Sequence, residues 1–260
     1  MREFKEITSR ENSLIKLISS LQTSAKARRE NGLFVLEGLR ICSDAFENGI
    51  GFDKLIVSNN AFEKYHDTVE KFSENAAECF LLPDRLFARI SDTLSPQGIC
   101  ALCKTPVLYE DGIDPNGRYV ALDNISDPSN LGAIARTGEA LGAAGLILSS
   151  GCCDPYSPKA LRASMGTLLR IPLIILHDFA AGLKNTGLRT FACVPDQNAL
   201  PITKAEFNDG CTVIIGNEAN GITAATKEAA DQLIMIPMNG RAESLNAAAA
   251  AAIAVWEMLK

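Results

Sequence analysis

A two-domain α/β protein is the fold class this sequence predicts: a mostly parallel C-terminal sheet preceded by a small α/β domain. Three observations carry the expectation. Short apolar runs alternate with stretches of helical period along most of the chain, the pattern of strands joined through helices. The stretch KTPVLYEDGIDPNG, 104–117, holds two prolines, two glycines and mixed charge, the composition of a domain boundary. A length of 260 residues suits two modest domains with ample material for cores. We therefore expect an N-terminal domain over 1–105, a linker over 106–117 and a second domain over 118–260.

Within the first domain, residues 5–30 carry helical periodicity. GLFVLEGLRICSDAFENG, 32–49, gives a short strand leading into a helix. FDKLIVSN and AECFLLP are rich in β-formers and predict strands, with a helix from Phe62 to Asn75 between them. LFARISDTLSPQGICALCK predicts a short helix and then a strand. The second domain alternates more cleanly. RYVALDNI, AGLILSS, TFACVP, TVIIG and QLIMIPM predict strands, and NLGAIARTGEALG and TAATKEAADQ predict helices. SPKALRAS opens a helix with Ser157 at the cap and Pro158 in its first turn. Six consecutive alanines, Ala247–Ala252, predict a closing helix, because alanine has the best intrinsic helix propensity. Ser244 suits its N-cap. Leu245, Ala249, Ala252, Trp256 and Leu259 share one helical face, expected to be the packed one.

Composition bounds the function classes. Apolar residues make up 47% and charged residues 22% of the chain, as in ordinary globular proteins. No apolar run approaches the roughly 18 residues of a membrane span. The N-terminus carries Glu3, Glu6 and Glu11 and lacks the apolar stretch of a secretory signal, so a cytoplasmic protein without membrane contact is expected. Eight cysteines in such a chain predict thiols rather than disulfides. Cys100 and Cys103 have no second CxxC or CxxH to complete a zinc site, and their apolar surroundings predict a buried strand. Cys152 and Cys153 are neighbours in a loop. The only histidines, His66 and His177, sit in no motif, which weighs against triad or histidine–metal chemistry. The net charge of −6 argues against a wholly basic nucleic-acid surface. Residues 1–29 nevertheless hold seven Lys/Arg against three Glu, and Lys26, Arg28 and Arg29 cluster there. That cluster is either a solvated helix face or a phosphate-contacting patch.

In a parallel α/β sheet, ligands bind outside the carboxyl ends of the strands. Three loops sit at such ends: DNISDPSNLGAIAR after the strand at 118–122, GNEANG at 216–221, and PMNGRAESLN at 237–246. Neither a dinucleotide-type G-x-G-x-x-G turn nor a nucleoside-triphosphate P-loop is present. Together the three stretches resemble the signature motifs of the SpoU/TrmH family of the SPOUT methyltransferase superfamily. The first motif, Asn-x-Gly-x-x-x-Arg, falls on Asn130, Gly132 and Arg136. The second, Gly-Asn-Glu-x-x-Gly, falls on Gly216, Asn217, Glu218 and Gly221. The third falls on Pro237, Met238, Ser244, Leu245 and Asn246. SPKALRASMG, 157–166, resembles a segment found between the first two motifs. RRENGLFVLEGLR resembles the RNA-binding accessory domain that these enzymes often carry.

The resemblance implies a deep trefoil knot, S-adenosylmethionine as cofactor without a metal, a homodimer, and methyl transfer to a ribose 2′-hydroxyl of RNA. Ribosomal RNA is expected ahead of transfer RNA; a tRNA 2′-O-methyltransferase and a non-catalytic RNA-binding member of the fold are the alternatives. It also implies roles. Arg136 is the leading catalytic candidate, in phosphate contact and oxyanion stabilisation, since a guanidinium with a pKa above about 12 is a poor general base. Asn130 and Glu218 are expected to orient Arg136 and the ribose, with Ser244 and Asn246 capping the last helix and contacting substrate or the knot. Gly216, Ile236, Met238 and Leu245 are expected to line the cofactor pocket. Lys26, Arg28, Arg29 and Arg162 are the expected RNA contacts.

Overall fold

The computed structural model describes residues 2–106 and 112–260; residues 107–111 of the predicted linker lie outside the described residues. The chain forms two compact units. One comprises the residues up to Pro106 with Tyr156–Leu161, and the other comprises the remaining residues. No helix among the described residues is long and apolar enough to cross a membrane.

The first unit runs β1 (Phe4–Glu6), α1 (Ser13–Thr23), α2 (Ala25–Asn31), β2 (Leu33–Glu37), α3 (Leu39–Glu47), β3 (Phe52–Ser58), α4 (Asn59–Lys64), α5 (His66–Glu74), β4 (Ala76–Leu82), α6 (Asp84–Ile90) and β5 (Ile99–Lys104). Its sheet has the order β1-β4-β3-β5-β2. β4 pairs in parallel with β1 and β3, and β5 is antiparallel to β3 and β2. Leu14, Ile15, Ile18 and Leu21 recur at three- and four-residue spacing on α1 and pack with Val35, Ile56, Leu82, Phe87 and Leu102. Cys100 and Cys103 are buried in β5, as expected of small apolar side chains.

The single helix expected over 5–30 is instead a strand and two helices. Asn12 starts α1 by accepting from the Leu14 N–H at 2.8 Å. Ser24 then leaves helical geometry (φ −125°, ψ 115°) and caps α2, its hydroxyl accepting from the Ala27 N–H at 3.2 Å. The helix expected from Phe62 to Asn75 is likewise broken, at Tyr65 (φ −118°).

The second unit contains β6 (Arg118–Asp123), α7 (Pro128–Leu141), β7 (Gly145–Ser149), β8 (Leu173–Leu176), α9 (Phe179–Asn185), β9 (Arg189–Cys193), β10 (Leu200–Pro201), β11 (Cys211–Gly216), α10 (Ala224–Ala229), β12 (Gln232–Met235) and α11 (Ala247–Leu259); α8 (Pro158–Ser164), between β7 and β8 in the chain, begins in the first unit's Tyr156–Leu161 segment and ends in the second unit. Its seven strands are all parallel, in the order β10-β12-β9-β11-β6-β7-β8. The near-continuous apolar strands β6, β7 and β11 fit a sheet covered on both faces. β8, α9 and β10 went unmarked in the sequence because at two to seven residues they are too short to show a period.

The closing helix differs from expectation in two ways. Its N-cap is Asn246, whose side-chain oxygen accepts from the N–H groups of Ala248 and Ala249 at 2.9 and 3.3 Å, so Ser244 lies two residues outside the helix. The buried face is Ala247, Ala251, Ala254, Val255 and Met258, which packs on α7, β11 and β6. On the face expected to be packed, Leu245 and Trp256 are exposed, with Ile253 beside them.

Candidate active site

The three motif loops meet at the carboxyl ends of β6, β11 and β12. β6 and β11 are adjacent and in register, Asp123 opposite Gly216, so their loops leave the sheet side by side. The β11 loop closes on itself. Asn217 and Gly221 exchange backbone hydrogen bonds at 3.0 and 2.9 Å, while the Asn217 side chain accepts from the Ala219 and Asn220 N–H groups at 3.0 Å each. Gly221 takes a left-handed φ of +67°. Gly216 is required by space rather than by φ: a Cβ there would lie 2.3 Å from the Gly221 carbonyl carbon and the Ile222 nitrogen. The loop is also fastened to β6. The Asn217 amide donates to the Asn124 carbonyl at 2.7 Å, and buried Asp123 accepts from the N–H and hydroxyl of Thr223 at 2.8 and 2.9 Å.

Glu218 is the hub of the site. Its carboxylate accepts from the Ser126 N–H and hydroxyl at 3.1 and 2.8 Å, from the Asp127 N–H at 3.1 Å, and from the Asn130 amide at 2.9 Å. Asn130, 8% exposed on α7, accepts in turn from the Asn246 amide at 3.1 Å. One hydrogen-bond chain thus joins all three motifs. Burial alone would raise the Glu218 pKa, but the donors from Asn130 and Ser126 outweigh it and hold the carboxyl down at about 2. The carboxylate is therefore ionised at neutral pH and acts as a fixed acceptor.

Beside this chain lies an open cavity of about 350 Å³, within the roughly 300–1,000 Å³ typical of small-molecule sites. Gly216, Ile236, Met238 and Leu245, the four residues expected to hold a cofactor, all line it. Glu218 and Ser244 line it as well, whereas Asn130 and Asn246 connect to it through Glu218.

Arg136 is exposed on α7, makes no side-chain hydrogen bond or ion pair among the described residues, and does not line the cavity. The expectation that Asn130 and Glu218 orient it does not hold within this chain. Six residues along a helix turn about 240°, which puts Asn130 on the buried side and Arg136 on the open one. Glu139, the nearest acidic residue on α7, is held by Arg170 at 2.9 Å instead. Lys26 and Arg29 are exposed on α2, Lys26 within 3.7 Å of Glu30, and Arg162 is exposed on α8. Arg28 departs from the surface role expected of it. It is 6% exposed, and its guanidinium donates to the Leu21 and Gln22 carbonyls at the end of α1, groups left unpaired by the helix. Sequence reasoning missed Ser126 and Asp127, whose backbone donors to Glu218 leave no trace in residue type, and missed the cavity-lining Lys227 and Glu243.

Residues 117–256 match the SpoU rRNA Methylase family, and residues 12–101 match the MRM3-like substrate binding domain. The 23S rRNA (guanosine(2553)-2′-O)-methyltransferase RlmP of Bacillus subtilis is 29% identical over 98% of this chain and 99% of its own. The 23S rRNA (uridine(2479)-2′-O)-methyltransferase of Streptomyces viridochromogenes is 27% identical over 98% of this chain and 92% of its own. Among solved structures, the AdoMet-bound rRNA methyltransferase from Sinorhizobium meliloti is similar with a TM-score of 0.87 at 29% identity, covering 98% of this chain and 97% of that one.

Proposed function

The chain belongs to the SpoU rRNA methylase family, and we propose that it transfers a methyl group from S-adenosylmethionine to a ribose 2′-hydroxyl of ribosomal RNA. The observation that carries this reading is the hydrogen-bond chain Asn246–Asn130–Glu218, which ties the three motif loops together beside a cavity lined by Gly216, Ile236, Met238 and Leu245. The cavity suits the cofactor: its size is that of a small-molecule site, and the absence of a side chain at Gly216 lets the loop backbone close tightly at its rim. The relatives are named for a guanosine and a uridine, and what they share is the ribose 2′-hydroxyl of 23S rRNA.

The cofactor's sulfonium supplies an already activated methyl group. The protein must then align the hydroxyl, assist loss of its proton and stabilise the oxygen as charge develops. Glu218, ionised and held by four donors from the 126–130 segment, fixes the loop geometry. Ser244, which lines the cavity, is our candidate for contact with the ribose, and the Asn246–Asn130 hydrogen bond supports this by tying the adjoining segment to α7. Arg136 offers a planar two-pronged donor for an RNA phosphate and for the developing oxyanion. Because it does not line the cavity of its own chain, that role requires the arrangement imposed by RNA or by a second subunit.

We assign RNA binding to residues 1–105, with Lys26 and Arg29 as exposed phosphate contacts, linked through 106–117 to the methyltransferase domain at 118–260, where exposed Arg162 is a separate RNA contact. A homodimer is proposed on the exposed Leu245, Ile253 and Trp256, apolar surface that a second copy would cover. A trefoil knot and a cytoplasmic location complete the proposal. The knot is supported by the insertion of β12 between β10 and β9 and the return of α11 onto α7. Mass mapping of 2′-O-methylated nucleotides in total RNA, with and without the protein, tests the function; an unchanged methylation map overturns it.

A further inference from the structure

The cavity beside Glu218 is lined by three charged side chains, and only one of them is occupied within the protein. Glu218 is held by the Ser126, Asp127 and Asn130 donors. Lys227, on α10, and Glu243, in the loop before α11, also line the cavity. Both are exposed, and neither makes a side-chain hydrogen bond or ion pair among the described residues. Lys227 is the one cation among the lining residues, while the two carboxylates make the wall otherwise acidic. A ligand carboxylate entering there would meet net repulsion unless Lys227 faced it, and a ligand ammonium would be drawn to Glu243. One free charge of each sign beside a mostly apolar wall fits a zwitterion attached to an apolar body.

Building on the cofactor reading above, we infer that Lys227 and Glu243 are positioning residues that grip the amino-acid head of the cofactor. Lys227 takes the α-carboxylate and Glu243 the α-ammonium, while the apolar lining and loop backbone hold the adenosyl part. The grip fixes the direction in which the sulfonium-bearing arm runs through the cavity, and so which way the methyl group faces.

The test is calorimetric titration of the full chain with S-adenosylhomocysteine and with 5′-methylthioadenosine, the same adenosyl thioether without the amino-acid head. In the wild type the first should bind more tightly, and added salt should shrink that difference. Lys227→Met and Glu243→Gln should each weaken S-adenosylhomocysteine by at least about fivefold and leave 5′-methylthioadenosine unchanged, the loss expected for a charged contact at an open site. Lys227→Arg should retain most of the affinity. Equal losses for both ligands, or no loss for either, overturn the inference, as does a wild type that binds the two equally. A wild type that binds neither removes the cofactor reading itself. Thermal unfolding of each variant, matching the wild type, separates lost contacts from lost fold.

Discussion

Replacing Glu218 by glutamine tests whether the hydrogen-bond hub organises the motif loops. The carboxylate accepts from four donors on Ser126, Asp127 and Asn130, two to each oxygen. Glutamine keeps one oxygen and turns a donor-bearing amide toward the rest, so at least one pair of donors loses its acceptor. A carboxyl moved from 4.5 to about 2 would contribute about 3.4 kcal/mol at full strength. Solvent reaches Glu218, and screening reduces the expected contribution to about 1–2 kcal/mol. For a unit of this size that is a fall of about 2–8 °C in the unfolding midpoint. The pH dependence follows from the direction of the shift. A depressed carboxyl stabilises the fold fully above its unfolded pKa, and this is lost as pH falls from about 4.5 toward 2. The variant should therefore be less stable than wild type at pH 7, and the gap should close across that window. Trp256, the only tryptophan, lies on α11 in the same unit and reports its unfolding by fluorescence at one fixed protein concentration. Equal midpoints at pH 7, or a gap that stays constant down to pH 2, would refute the hub.

Further outcomes follow from the same geometry. Arg136→Ala should lower single-turnover methylation at saturating RNA by at least about a hundredfold while cofactor affinity barely moves, and Arg136→Lys should rescue poorly; a near-normal chemical rate removes Arg136 from catalysis. Lys26→Glu combined with Arg29→Glu should weaken RNA binding and flatten its salt dependence, measured by filter binding across a salt series. Arg28→Ala should instead destabilise the first unit, seen as an earlier circular-dichroism transition, because two helix-end carbonyls lose their donor. Gly216→Ala should disrupt the loop as a whole, since the added Cβ meets backbone at 2.3 Å, and calorimetry should show cofactor binding abolished. Ile253→Asp combined with Trp256→Asp should give monomers by light scattering while the fold persists, as both side chains are already exposed within one chain.

The family resemblance marked motif residues at fixed spacing, and the structure brings several of them together. Gly216, Glu218, Asn130 and Asn246 were marked by sequence, and the structure brings the last three into one hydrogen-bond chain. What periodicity could not supply was direction. Arg28 and Arg29 are adjacent cations in the same helix, yet one is buried against the end of α1 and the other is exposed; only the position of the preceding helix decides between them. Lys227 and Glu243 belong to no spacing pattern, and only the fold, which brings α10 and the 237–246 loop around one cavity, shows that both line it.

The alanine helix shows the same difficulty in its sharpest form. A run of six alanines offers every face equal apolar character, so bulk at Leu245, Trp256 and Leu259 drew the packed face toward the large residues. The structure does the reverse, burying Ala247, Ala251 and Ala254 with Val255 and Met258 against α7 and the sheet, and leaving Trp256 58% exposed. Close approach of two backbones needs small side chains at the contact, and bulky ones there would hold the elements apart. The alanines are thus explained by packing within the chain, and the large residues Ile253 and Trp256 are left as exposed apolar surface, the surface on which the homodimer is proposed. That division also keeps the requirements separate: substitutions at 247, 251 and 254 should disturb the fold, whereas those at 253 and 256 should disturb assembly alone.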